Sequence, residues 1–592
     1  MQQIGQRLSM LRTWLRTKGY GACVILDANP HLSEYIEPHY AARAWFSGFT
    51  GSNGILVVTE TEARLWTDSR YYVQARQQLA GTGIVMVPQE TSPSIASWLV
   101  SGIKKGVSPI VAVDASLMAE QEWCRWSQEV TMVDDASYWD LWTDRPELSF
   151  GKAFVHPLSL AGQSAADKIG QLVCDMRSRC SDNAITIVSR LDEVAWLLNL
   201  RGHDLQDSPL LRAWLIVASV DGKPECRLYA DGEALDSNVK TYLNEIGVHQ
   251  SNYGDLEKDL AQRYAGTTML YAAADLNHHL VSVLQKSGCV LQSADLSVAC
   301  RKAVKNEAEL SGIREAMLKD GVMWVRFLML LQQQVGQGWT EADVVDCLKR
   351  LKREQPDCWG ESFGTIAAYG ANGAIVHYGV TPETNCKIER RSLLLVDTGT
   401  QYLHGTTDMT RTLACGLLTE TEKHDYTLVM KSHIALARAV FPEGTPASAV
   451  DGIARSPLWR EAADFKHGTG HGVGAFLNVH EGPVRIAPSS GVRLQAGMVT
   501  SDEPGLYREG SHGVRIENLL EVVPYKTSEF GRFLQFKVLT LCPMDLRPLQ
   551  VGMLDDTEKA WLNEYHARVR GCLEPYLTEK ENNWLKQYAY EI

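Results

Sequence analysis

Between Lys466 and Pro483 the sequence reads KHGTGHGVGAFLNVHEGP, with three histidines and five glycines in one short stretch. His467 and His471 stand four apart, the spacing of two zinc ligands on one helix face. Gly468, Gly470 and Gly472 make a helix costly there, and the glutamate of the HExxH pattern is missing. No GxGxxG or following Lys-Ser/Thr turns the glycines into a phosphate loop. An extended, glycine-rich strand would let the backbone approach a metal or a substrate closely. A solitary histidine is more often a satisfied core residue. Three of them within fourteen residues, bracketed by paired acids, reverse that balance.

The first acidic pair lies in SLLLVDTGTQYLHGTTDMTRTL. SLLLVD and TTDMTRTL read as strands, and the symmetry of Asp397 and Asp408 about Tyr402 and Leu403 predicts a hairpin in which they face each other, Cβ atoms roughly 5 Å apart. Alone, this pair could be two turn or cap aspartates. The second pair is Glu503 and Glu517, symmetric about Gly510 in the turn REGSHG, with apolar runs burying both ends. Like charges that close repel unless a cation lies between them. The inferred metal set is Asp397, Asp408, His471, Glu503 and Glu517. Such hard, oxygen-rich donors suit two Mn²⁺ ions, with Zn²⁺ or Co²⁺ as substitutes. A metal pair about 3.5–4 Å apart makes a bridging hydroxide available at neutral pH.

These residues need a scaffold. A chain of 592 residues exceeds one hydrophobic core and should divide into about two to four domains. Residues 1–150 alternate helical patterns with short apolar runs (GACVIL, GILVV, ARLWTD), which predicts α/β packing. A second α/β round covers 151–301, through AADKIGQLVCDM, DNAITIV, LDEVAWLLNL and RAWLIVASV. The third region, 302–592, opens with a long amphipathic helix. From about Thr365 to Val523 it reads as antiparallel sheet, and it ends in helices announced by capping-box spacings at Asp555/Glu558 and Thr578/Glu581. At the N-terminus Ile4, Leu8, Leu11 and Leu15 recur at helical spacing before Gly19, predicting a core helix, not a signal peptide.

Composition narrows the partners. A formal net charge of −13 argues against nucleic-acid or anionic-membrane surfaces. No apolar run reaches about 18 residues, so no membrane span is expected. Thirteen cysteines without a CxxC pair predict reduced thiols in a cytoplasmic protein.

At the metal-site residues the chain resembles the pita-bread metallopeptidases, through DTG…TTDMTR, HGTGHGVG…VHEGP, SDEPGLY and VRIEN. RAWFSGFTGSNG, WTDSRYYVQA, DEVAWLLNLRG, GANGAIVHYGVTPET and FLQFKVLTLCPMD…WLNEYH narrow the likeness, almost end to end, to the long, three-domain aminopeptidase P family. The resemblance implies an α/β and α+β fold: two tandem creatinase-like α/β domains, then a pita-bread catalytic domain, assembled as a homodimer. It implies an enzyme that removes the N-terminal residue from peptides with proline second, by attack of a hydroxide bridging two metal ions. On it, Asp397 is a bidentate ligand of one metal, Asp408 and Glu517 bridge both, and His471 and Glu503 complete the other shell. Glu503 doubles as general base, His480 stabilises the oxyanion, and His377 and His467 position substrate and leaving group. The stretch HDLQDSP and His404 depart from the family pattern without touching a metal ligand. The alternatives are a prolidase-type Xaa-Pro dipeptidase and a non-catalytic pita-bread binding module. Trp459, in a polar stretch before the histidine cluster, is either a core tryptophan or a dimer anchor.

Overall fold

The computed structural model describes residues 2–592 apart from 92–93, 104–107, 181–182, 221 and 297. They form two compact units, 1–158 with 163–298, and 159–162 with 299–592.

The first unit carries two six-stranded sheets built on one plan. In the first, Ala22–Ile25 lies between Ile55–Thr59 (antiparallel) and Ile110–Val113 (parallel). Ala63–Thr67 and Val85–Pro88 extend one edge and Thr131–Asp134 the other. In the second, Ala184–Val188 takes the place of Ala22–Ile25, between Ala213–Val220 (antiparallel) and Thr268–Tyr271 (parallel). Lys223–Ala230, Val248–Asn252 and Val290–Ser293 repeat the outer strands. The apolar runs read from the sequence are these central strands, buried on both faces, and a continuous run instead of an alternating one follows from that burial. The helix Gln2–Lys18 buries Ile4, Leu8, Leu11 and Leu15 and ends before Gly19 at φ +71°. His31, Arg212 and Glu37 join the two halves inside this unit: His31 Nδ1 is 2.8 Å from the Ser189 carbonyl, and Arg212 is 2.6 Å from Glu37.

The second unit opens with α1 (Glu307–Gln334), started by a capping box in which Asn306 accepts from the N–H of Glu309 while the Glu309 side chain accepts from Asn306. α2 (Glu341–Arg353) packs beside it. A three-stranded sheet follows, with β1 (Leu393–Thr398) between Ile366–Tyr369 and β2 (Met409–Ala414). α3 (Glu420–Ala437) and α4 (Ala447–Arg460) come next. A six-stranded sheet then holds β3 (Gly470–Gly472), β4 (Glu481–Ile486), β5 (Val499–Asp502) and β8 (Asn518–Ser528), with β6 (Gly505–Arg508) and β7 (His512–Arg515) forming a hairpin above it. Both C-terminal capping boxes are formed.

Two readings are corrected. The sheet expected from Thr365 to Val523 is interrupted by α3 and α4; α3 is buried on most of its surface, Glu422, Asp425 and His433 included, and shows no apolar stripe. The turn of the first hairpin falls at Leu403–His404, because Gln401 pairs with Thr406 and Tyr402 with Gly405. Asp397 therefore faces Thr410, not Asp408. The slip is one residue on each strand, so parity is kept, and the two aspartates remain on one face as diagonal neighbours.

Candidate metal centre

The acids sit at or beside strand ends. Asp397 is the last residue but one of β1, still paired with Ile366 and Thr410, and Asp408 immediately precedes β2. In the second hairpin the register is symmetric about Gly510: Gly505 faces Arg515 and Asp502 faces Asn518. Glu503 and Glu517 lie opposite each other in the gap between those ladders. Their backbones are pinned by Glu503 N–H to the Thr469 carbonyl (2.8 Å) and Glu517 N–H to the Thr410 carbonyl (3.1 Å).

His471 arrives between them on β3. A Cβ on Gly470 would lie 2.0 Å from the Ser501 carbonyl oxygen, and one on Gly472 would lie 2.3 Å from that of Glu481. Only glycine lets the strand slip between β4 and β5, which accounts for the glycines around the histidine. Its ring is oriented by Nδ1, 2.9 Å from the Gly472 carbonyl, which leaves Nε2 facing Asp408 Oδ2 at 3.3 Å and Glu503 Oε1 at 3.5 Å. Ligand atoms of Asp408, His471 and Glu517 all lie within 4.8 Å of one another.

Two like charges at that distance, at an effective dielectric constant of about 20, repel by roughly 3 kcal/mol. Burial holds Glu517 protonated far above the ordinary carboxylate range, with Asp408, Asp397 and Glu503 adding to it. Burial likewise pushes Glu503 up to about 7, against the pull of His471 and Arg515. Asp397 is raised by burial, opposed by Arg515, whose Nη2 donates to Oδ2 at 2.6 Å. Burial works against a charged imidazole, yet the hydrogen bond to Asp408 and the charge of Glu503 hold His471 up at about 9. Asp397 Oδ1 is buried without a hydrogen-bond donor among the described residues. An inward lone pair, crowded acids and one imidazole are what hard divalent cations require, so the residues fit a metal site.

Two of the remaining histidines, His480 and His467, connect to the same region. The His480 ring lies 4.3 Å from that of His471, nearly perpendicular to it. His467 accepts at Nε2 from the Tyr507 hydroxyl (2.9 Å) and donates through Nδ1 to the Gly468 carbonyl (2.7 Å). His377 follows the short helical turn Gly370–Ala374. That turn meets β7 so closely that a Cβ on Gly513 would fall 1.7 Å from the Gly373 carbonyl oxygen.

Arg515 and Tyr507 escaped the sequence reading. Arg515 donates to Asp397 and, through Nη1, to the Tyr507 hydroxyl at 2.9 Å, linking the first acid to His467. Arg515 stands two positions before Glu517, on the same strand face. That parity was available in VRIEN; the partners were not. Behind the site, His433 of α3 lies 3.0 Å from Asp502 Oδ2 and accepts from Asn518 Nδ2 at 2.9 Å. It thereby joins the residues flanking Glu503 and Glu517. Buried Arg411 donates to the Glu517 carbonyl at 2.6 Å and to Asn518 Oδ1 at 2.8 Å.

Buried acids gathered around one imidazole make a candidate metal centre, and comparison with known proteins gives the class of protein that carries it. Residues 311–524 match Metallopeptidase family M24 and 532–592 the C-terminal region of peptidase M24; 7–136 and 144–309 each match a Creatinase/Prolidase N-terminal domain. The chain belongs to metallopeptidase family M24, in the group of the aminopeptidases P. It is 37% identical to Aminopeptidase P2 of Arabidopsis thaliana over 97% of this chain and 86% of that protein. It is 33% identical to Aminopeptidase P1 of Lotus japonicus, covering 98% of each. The fold superposes with a TM-score of 0.90 and 31% identity on an X-prolyl aminopeptidase from Caenorhabditis elegans, covering 97% of this chain and 95% of that one; that protein is described as a cytosolic enzyme with a di-nuclear active site. Among the described residues no helix is long and apolar enough to cross a membrane.

Proposed function

We propose that this enzyme removes the N-terminal residue from peptides whose second residue is proline, using two metal ions. The observation that carries the reading is one buried cluster of four carboxylates and an imidazole in a chain matched along its whole length by aminopeptidases P.

Asp397, Asp408, His471, Glu503 and Glu517 would hold the two ions, for which Mn²⁺ is the favoured identity given the oxygen-rich donors. Such ions supply Lewis acidity and a water whose pKa is brought near neutrality. Glu503 takes the proton of the attacking water on a carboxylate oxygen and delivers it to the departing proline nitrogen. His480 donates to the scissile carbonyl oxygen as negative charge develops on it. His467, fixed by Tyr507 and Gly468, and His377 orient the substrate and the leaving group. The free α-amine lies against the acids, Asp397 included, so acetylating it abolishes cleavage. Proline lacks the N–H that general proteases engage, and its ring fixes φ, so a pocket shaped for the ring accepts a bond they refuse.

We also propose a cytoplasmic homodimer and a division into domains at 1–150, 151–301 and 302–592. Trp459, half exposed at the end of α4, supports a dimer contact.

The test is a matched pair, Xaa-Pro and Xaa-Pro-Pro, at equal concentration with Mn²⁺ after chelation. Preference for the longer peptide supports the aminopeptidase; cleavage of the dipeptide alone would move the enzyme to the prolidases.

A further inference from the structure

His480 lies near one end of the loop joining β3 to β4, and two anchors bracket it. At Leu477 the backbone carbonyl accepts from Gln401 Nε2 (2.8 Å) and Thr406 Oγ1 (3.2 Å). At Glu481, the next residue after His480, the side chain is only 2% exposed as a residue and is gripped by two ammonium groups. Lys302 Nζ is 2.9 Å from Oε1, and Lys305 Nζ donates to Oε2. The lysines are themselves held: Lys305 Nζ also donates to the Lys302 carbonyl (2.8 Å), its N–H donates to the Gly497 carbonyl (2.9 Å), and Val304 bridges to Met498 beside β5.

A buried ion cluster adds little net stability over apolar packing of the same shape, because desolvation offsets the Coulomb gain. What it does supply is a fixed geometry. We infer that the Lys302–Glu481–Lys305 clamp is a positioning device for His480, holding the imidazole at the distance from the metal ligands that oxyanion stabilisation needs. Glu481 touches neither substrate nor metal ligand in this role; it acts through the neighbouring histidine. The inference rests on the reading of His480 given above.

The experiment is a double-mutant cycle on the metal-loaded full-length enzyme, crossing Lys302→Met with His480→Ala. Lys302→Met leaves Lys305 paired with Glu481, so no lone charge is buried. Alone it should lower kcat by about 10- to 100-fold, the scale of a group that orients a functional ligand, with KM and metal content unchanged. In the His480→Ala background it should change kcat by less than about threefold, since the group it positions is gone. Lys302→Arg, which keeps a cation beside Glu481, should recover most of kcat, and Lys305→Met, which leaves Lys302 paired with Glu481, gives a second cycle if Lys302→Met does not fold. Equal losses in both backgrounds would overturn the clamp's role while leaving His480 intact. A His480→Ala enzyme with full kcat would overturn the role of His480 and the clamp together.

Discussion

In the metal-free protein Glu517 holds its proton because it is buried among Asp408, Asp397 and Glu503. Glu503 is held up at about 7 and His471 at about 9. At neutral pH Glu517 and His471 therefore carry protons and Glu503 is about half protonated; a cation must displace these protons, so metal binding should release protons and tighten as pH rises. Calorimetry in buffers of different ionisation enthalpy measures the number released; a value of zero at pH 7 would contradict the buried protonated acids. On the proposed assignment, removing one acid also removes a metal ligand. Asp408→Ala or Glu517→Ala should bring metal content below two per chain and nearly abolish turnover, and a variant that kept two metals and full kcat would refute the binuclear assignment. His480→Ala should instead lower kcat by about 10²–10³ with metal content unchanged, the cost of one oxyanion donor; a change confined to KM would mean ground-state binding. That the four acids and His471 come together was legible because charge crowding and spacing are written in the chain. Arg515, Tyr507 and His433 were not, since their work depends on which distant atoms they meet.

Hairpins gave the four acids their places, and here the sequence spoke unevenly. REGSHG has its turn at Gly510, φ +75°, so the symmetry about it is the register of the structure. TGTQYLHG has several candidate turn residues and no glycine at the centre, and its turn shifts by one residue. Long-range contacts decide that shift. Asp320 of α1 accepts from Thr400 Oγ1 (2.9 Å), the Tyr402 hydroxyl (2.7 Å) and Thr407 Oγ1. Lys352 of α2 donates to Thr398 Oγ1 (2.5 Å) and the Gly399 carbonyl (2.8 Å). The hairpin between Asp397 and Asp408 is thus stapled to two helices that no local pattern connects with it. Asp320→Ala would take the acceptor from the buried hydroxyls of Thr400 and Tyr402, at a cost of about 1–3 kcal/mol for each left unsatisfied. The denaturation midpoint should fall markedly, and metal affinity with it, because Asp408 follows Thr407. Unchanged metal affinity in a destabilised Asp320→Ala protein would show that the staple serves stability alone.

At the scale of the whole chain the duplicated α/β plan was readable, because central strands buried on both faces leave continuous apolar runs. The pairing order of the strands, set by long-range contacts, was not. Trp459→Glu should give a folded monomer by light scattering; a folded variant that stays dimeric removes this residue from the interface. The contacts joining the two halves of the first unit were equally silent in the sequence, and one of them titrates. His279 Nδ1 lies 3.0 Å from Asp134 Oδ2, at the end of the first sheet, and Nε2 lies 3.3 Å from Glu257 Oε1 in the second half. The hydrogen bond to Asp134, then that to Glu257, raises its pKa to about 10, against an ordinary value of 6.5. A raised pKa means that the folded state binds the proton more tightly than the unfolded chain. The stabilisation is therefore complete below about pH 6.5, and it is lost as pH climbs through about 10. Urea midpoints of the parent and His279→Gln should differ most at pH 6 and converge by pH 10.5. Since the pair is partly solvent-exposed, the difference at pH 6 should be modest, about 1 kcal/mol or less. A gap that stays constant across this range would mean that the ring contributes by packing, and a gap that widens with pH would reverse the sign of the argument.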